Sequence, residues 1–90
     1  MKSFHCVVTG KVQGGNFQGW VHEQAEALGL TGWVRNIADG KAEVLVQGDE
    51  AKCKELKRRI EAESPIPGPK SVKAETIEYD KVHKKFEIRG

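Results

Sequence analysis

The order of its elements predicts an α+β fold for this chain, a ferredoxin-like split βαβ sandwich with an antiparallel sheet and two helices on one face. Three observations carry the prediction. Five short segments have strand character, and two carry apolar residues at helical spacing. Their order reads β-α-β-β-α-β with a small strand at the end. Two strand-helix-strand units of this size fit a chain of 90 residues.

Each element has its own signal. Phe4, Cys6 and Val8 alternate with His5, Val7 and Thr9, a strand of period two that ends near Gly10 or Lys11. A loop at 12–17 follows. Val21, Ala25 and Leu28 then recur at helical spacing, and Gly29 is placed to close that helix in the left-handed conformation. Residues 31–36 read as a second strand and 41–47 as a third, with Ala38-Asp39-Gly40 as hairpin chemistry between them. Asp49 is an N-cap for a second helix whose apolar stripe is Cys53, Leu56 and Ile60. Lys52, Lys54, Lys57, Arg58 and Arg59 form its solvated side. Ser64-Pro65-Ile66-Pro67-Gly68-Pro69 is a connecting loop, since three prolines remove donors and fix the backbone. Residues 72–79 make a fourth strand. The apolar parity shifts there between Val72/Ala74 and Ile77/Tyr79, which predicts a bulge or a change of exposed face. Residues 83–89 are a short fifth strand. The whole of 1–90 is expected to form one domain.

Composition excludes several classes. Fifteen basic against thirteen acidic residues leave a formal charge of +2, too little to argue for nucleic acid or an anionic membrane. The third strand lacks the aromatic stacking residues of RNA-recognition sheets. No segment is long and apolar enough to span a membrane, and the N-terminus lacks a signal-peptide pattern, so a cytoplasmic protein is expected. Cys6 and Cys53 stand far apart and read as reduced, buried and structural, with a bridge between them as the minor alternative; neither belongs to a metal-ligand cluster. Trp20 and Trp33 read as packing or surface cover. No long apolar stripe is left over, and a monomer is expected.

The chemistry lies in two segments. Gly10-Lys11-Val12-Gln13-Gly14-Gly15-Asn16-Phe17-Gln18 joins a strand to a helix N-terminus, where backbone N–H groups can gather around an anion. It resembles the acylphosphatase signature Gly-x-Val-Gln-Gly-Val-x-Phe-Arg. Gly32-Trp33-Val34-Arg35-Asn36, with Gly40 and the later Gly48, resembles the second signature of that family. The resemblance implies hydrolysis of small acylphosphates to carboxylate and inorganic phosphate, with neither metal nor cofactor. It implies that Val12, Gln13, Gly14, Gly15, Asn16 and Phe17 cradle the phosphate, that residue 18 grips it, and that Asn36 positions the attacking water. An acylphosphate already carries a good leaving group, so the protein has to screen phosphate charge and hold water in line. Asparagine suits the second task because its amide donates and accepts without charge.

The sequence departs from the signature where it matters most. Gln18 stands in place of the arginine, and it lacks both the charge and the planar fork. Losing one such contact costs roughly 3–4 kcal/mol, about a hundred- to a thousandfold in rate. Gly15 replaces valine, Asn16 stands where a bulkier residue is common, and Ala42 replaces another valine. Lys11, Arg35 and His22 are the cations nearest in sequence. Lys11 and His22 read as solvated, and strand alternation turns Arg35 to the opposite face. The expectation is an acylphosphatase-like protein of weak or absent activity that binds a small acylphosphate or inorganic phosphate. The alternative is a non-catalytic anion-binding or protein-interaction domain on the same scaffold.

Overall fold

A computed structural model of the chain describes residues 2–12, 16–38, 40–65, 70–78 and 81–89. Its elements are β1 (Lys2–Thr9), α1 (Phe17–Ala27), β2 (Thr31–Ala38), β3 (Lys41–Gln47), α2 (Glu50–Glu63), β4 (Ser71–Glu78) and β5 (Phe86–Arg89). They form one five-stranded sheet in the order β4-β1-β3-β2-β5. The four longer strands pair antiparallel, as expected. The terminal strand adds in parallel beside β2, which makes the sheet mixed.

Both helices cover one face. Val21 and Ala25 of α1, and Cys53, Leu56 and Ile60 of α2, meet Cys6, Val8, Val34, Val44 and Val46 of the sheet in a single core. These are the apolar positions that the two periodicities select. The cysteines are free and buried within it. Burial pushes the Cys6 thiol up to about 12 and the Cys53 thiol up to about 11, so both are inert at neutral pH. Gly29 closes α1 at φ +70°. The charged side of α2 laces itself with ion pairs such as Lys57–Glu61 and Arg58–Glu55. Arg59 pairs with Glu55 in the same way, and its Nη1 also reaches across to Gln24 Oε1 of α1 at 3.0 Å.

The parity shift in β4 is a change of face and not a bulge. Its register against β1 runs unbroken from Ser71↔Thr9 to Glu78↔Lys2. Val72 and Ala74 face the helices, and Ile77 sits opposite Ser3 on the other face. The irregularity lies in β2 instead, between Asn36 and Ala38.

The second face is covered at one end. β4 and β5 lie at opposite edges, so the chain between them has to cross the sheet. Gln47, only 1% exposed, ties down that crossing. Its Nε2 donates to Lys81 O at 2.7 Å and to Ser3 Oγ at 3.0 Å, and its Oε1 accepts from His83 N at 2.8 Å. A buried amide is stable only when its hydrogen-bonding groups are satisfied in this way. The clamp delivers the chain to β5 and so places Arg89 beside Arg35.

Candidate active site

The fold brings the two signature segments together. Gly10 N donates to Gly40 O at 2.9 Å, so the start of the 10–18 stretch is tied to the β2–β3 hairpin. Val12 N then donates back to Gly10 O at 2.9 Å, and the Val12 side chain is buried in the core. Gln13, Gly14 and Gly15 lie outside the described residues, as does Asp39 of the hairpin. Asn16 is exposed, and Phe17 enters the core as the first residue of α1. Val12 and Phe17 are therefore apolar anchors at either end of the stretch. Anything they offer a ligand comes from the backbone, and the N–H of Val12 is already engaged.

The two helix starts differ. Asp49 caps α2, accepting from Ala51 N at 2.8 Å and Lys52 N at 3.3 Å, and Glu50 adds an acidic charge in the first turn. Asn16 at the start of α1 makes no side-chain cap, and the first turn of α1 holds no acid. The partial positive charge of that helix end is therefore not neutralised by the described residues around it. A depression of about 300 Å³ lined by Asn16, Gly19, Trp20, Glu23 and Pro65 adjoins it. That depression carries a carboxylate and includes neither Gln18 nor Asn36, so it is a poor match for an anion.

Gln18 is half-buried, one residue into α1, and its Nε2 donates to Arg89 O at 3.4 Å. Asn36 lies at the irregular end of β2, opposite Ala42 of β3. Its Oδ1 is buried and has no hydrogen-bond partner among the described residues. One residue joins the two sites. Arg89 pairs in register with Arg35, the neighbour of Asn36, and its carbonyl takes the Gln18 bond. Gln18 and Asn36, 18 positions apart in sequence, thus converge on the same end of the sheet, where β2 and β5 finish.

Arg89 is the residue that the sequence did not reveal. Nothing local marks it, because its role comes from a parallel pairing between the last strand and the second. Its guanidinium lies 5.5 Å from the Trp33 ring centroid, and that of Arg35 lies 5.0 Å from it. Trp33 belongs to the face away from the helices, so both positive charges are turned from Gln18. Arg35 is held there by Glu43, its Nε donating to Oε1 at 2.7 Å. Burial alone would raise the Glu43 carboxyl, but its bonds to His5 and Arg35 outweigh that and hold it below the ordinary carboxylate range. Lys11 is exposed. His22 faces Glu26, 3.5 Å away, and packs near Phe86. Arg35 has its expected direction, and the tryptophans serve packing as expected: Trp33 is buried and Trp20 packs against the core.

The acylphosphatase family model matches residues 4–88, almost the whole of this arrangement. The chain belongs to the acylphosphatase family. An acylphosphatase of Chlorobaculum tepidum is 39% identical over 87 residues, 97% of this chain and 95% of that one. The crystal structure of an acylphosphatase from Bacillus subtilis superposes with a TM-score of 0.86 at 27% identity, covering 100% of both chains. The structure of an acylphosphatase from Coxiella burnetii gives 0.83 at 30% identity, covering 98% of this chain and 92% of that one. Family and fold together carry an acylphosphatase-like function, hydrolytic chemistry on acylphosphates. Among the described residues no helix is long and apolar enough to cross a membrane, and no three His, Cys, Asp or Glu side chains group as a metal site would need.

Proposed function

We propose that this acylphosphatase-family chain binds the phosphoryl group of a small acylphosphate at the N-terminus of α1, and that it hydrolyses the anhydride slowly. The observation that carries the reading is the buried, unpartnered Asn36 Oδ1 beside the strand end that Gln18 touches. A buried acceptor without a donor costs about 1–3 kcal/mol. A water that donates to it would remove that cost and stand where an attacking nucleophile is needed. Backbone N–H groups of the 12–18 stretch and the uncapped helix end would screen the phosphate. Gln18 would add one neutral amide contact with whichever Nε2 hydrogen Arg89 does not use.

Slow turnover follows from charge. The side chain at position 18 is neutral, and the guanidiniums of Arg35 and Arg89 are stacked on Trp33 on the other face. In this reading the chain works as a monomer on acylphosphate or inorganic phosphate, without metal or cofactor. The non-catalytic alternative draws on the same lack of a cation.

Benzoyl phosphate hydrolysis by the full chain, beside Gln18→Arg, tests the reading. The arginine should raise kcat/KM about a hundred- to a thousandfold. Asn36→Ala should then abolish most of that gain. A wild type that already turns over rapidly, with no response to the arginine, would refute the assignment of position 18. Phosphate binding with no hydrolysis in either form would support the non-catalytic alternative.

A further inference from the structure

Glu43 joins three strands on the face away from the helices. It stands on β3, in register with Val7 of β1 on one side and Arg35 of β2 on the other. Its Oε2 accepts from His5 Nε2 of β1 at 2.6 Å, and its Oε1 accepts from Arg35 Nε of β2 at 2.7 Å. Burial acts to raise its carboxyl, but the bonds from His5 and Arg35 more than offset that, so it is ionised at neutral pH. Asn36 stands on the opposite face, the one that the helices cover, together with Val34.

The charge that Glu43 balances does reach the site. Arg35 and Arg89 are register partners on β2 and β5, and their guanidiniums lie 5.0 and 5.5 Å from the Trp33 ring centroid. The two like charges are therefore within about 10 Å of each other, close to the screening length in ~0.1 M salt, so they still repel. Glu43 gives Arg35 a countercharge at hydrogen-bond distance. Arg89 has the exposed Glu87 at 3.6 Å, a looser pair. The end of β5 depends on this balance. Phe86 anchors the start of the strand in the core, but Ile88 is 50% exposed, so burial holds the end weakly. β5 is also an edge strand, paired on one side alone. Its end carries the Arg89 carbonyl that accepts from Gln18. Its partner there, Arg35, precedes Asn36, which forms the last regular pair before β2 slips against β3.

We infer that Glu43 is a positioning residue: its charge lets Arg35 and Arg89 share Trp33, which seats the end of β5 against β2 and so aligns Asn36 and the carbonyl that Gln18 uses. The inference rests on the site proposed above and adds to it a residue from the other face of the sheet. Glu43 acts through the backbone of residues 35 and 89 and not on the phosphate itself.

Glu43→Gln tests it, because the amide keeps the size and an acceptor while losing the charge. Wild type and variant, as full chains, are compared by the NMR signals of their side-chain amides and by titration with inorganic phosphate. The Asn36 and Gln18 signals should shift and those of Gln24 and Gln47 should stay. Phosphate should bind about three- to tenfold more weakly. Gln47 lies on β3 with Glu43, so a general loosening of the sheet would move it too. Asn36 and Gln18 shifting together with Gln47 would make Glu43 a merely structural residue, against the inference. Adding Arg89→Gln to Glu43→Gln removes the repulsion. The double variant should regain the Asn36 signal, and its phosphate affinity should return to within about twofold of wild type. Glu75→Gln makes an equal charge change at an exposed position of the same face and should alter neither readout. Unmoved Asn36 and Gln18 signals in Glu43→Gln would overturn the inference, and so would a double variant no better than the single one. A wild type that binds no phosphate, with the Asn36 signal still shifting in Glu43→Gln and returning in the double variant, would overturn the anion site and uphold the linkage from Glu43.

Discussion

Gly32 opens the second signature segment, and its requirement is structural rather than chemical. Its φ is +135°, and a Cβ built there would fall 1.8 Å from the Leu45 carbonyl oxygen across the sheet. Both the backbone conformation and the contact exclude a side chain. Gly32→Ala should cost about 3 kcal/mol or more, seen as a lower midpoint in urea with an unchanged slope. An alanine variant as stable as the wild type would show that β2 and β3 can separate there without penalty. Asn36, four residues on, is the opposite kind of residue. It leaves a buried acceptor unmatched, which serves packing poorly and serves a bound water well. Gln18 lies between these cases, since its amide is spent partly on the Arg89 backbone and partly available.

The two helices start differently. α2 has the full set of start signals: Asp49 accepting two backbone bonds, then Glu50 in the first turn. Asp49→Ala should destabilise the chain by about 1 kcal/mol and lower Tm by roughly 4–8 °C, with no effect on phosphate binding. A changed phosphate affinity would mean that α2 communicates with the site. α1 lacks such a cap among the described residues, which is consistent with the anion site proposed there. The Asp49 cap was legible in the sequence, whereas Asn16 is an equally good cap residue by type, and only the structure shows that its side chain makes no such bond. The pairing of β5 was not legible from sequence. Phe86 and Ile88 alternating announce a strand over 83–89, of which the structure keeps Phe86–Arg89, but no local feature says which neighbour it joins or in which direction.

Across the whole molecule, the crossing from β4 to β5 carries a source of acid sensitivity. His83 lies buried on that crossing, and burial, followed by the charges of Arg89 and Lys81, holds its imidazole below the ordinary value of 6.5. A depressed folded-state pKa contributes stability that is present above the unfolded value and lost as pH falls through the folded one. Unfolding free energy should therefore begin to decline below about pH 6.5, and the Glu43 carboxyl should add a second decline below about 4.5. His83→Asn should flatten the first limb and leave the second, measured by denaturant titrations at several pH values. An unaltered slope between pH 6.5 and 5 would remove His83 as its source.

Periodicity and caps alone determined the elements, their order and the face each helix buries, because those follow from side chains close in sequence. Cys53, Leu56 and Ile60 sit in the core for that reason, and so do Val21 and Ala25. The two motif segments also marked where chemistry would be sought. Tertiary structure alone decided how the site is assembled. The Gly10–Gly40 bond, the Gln47 clamp, the parallel seat of β5 and the contact between Gln18 and Arg89 each join residues at least 30 positions apart. Pairings of that range arise from how strands align once the sheet closes, and no local pattern encodes them.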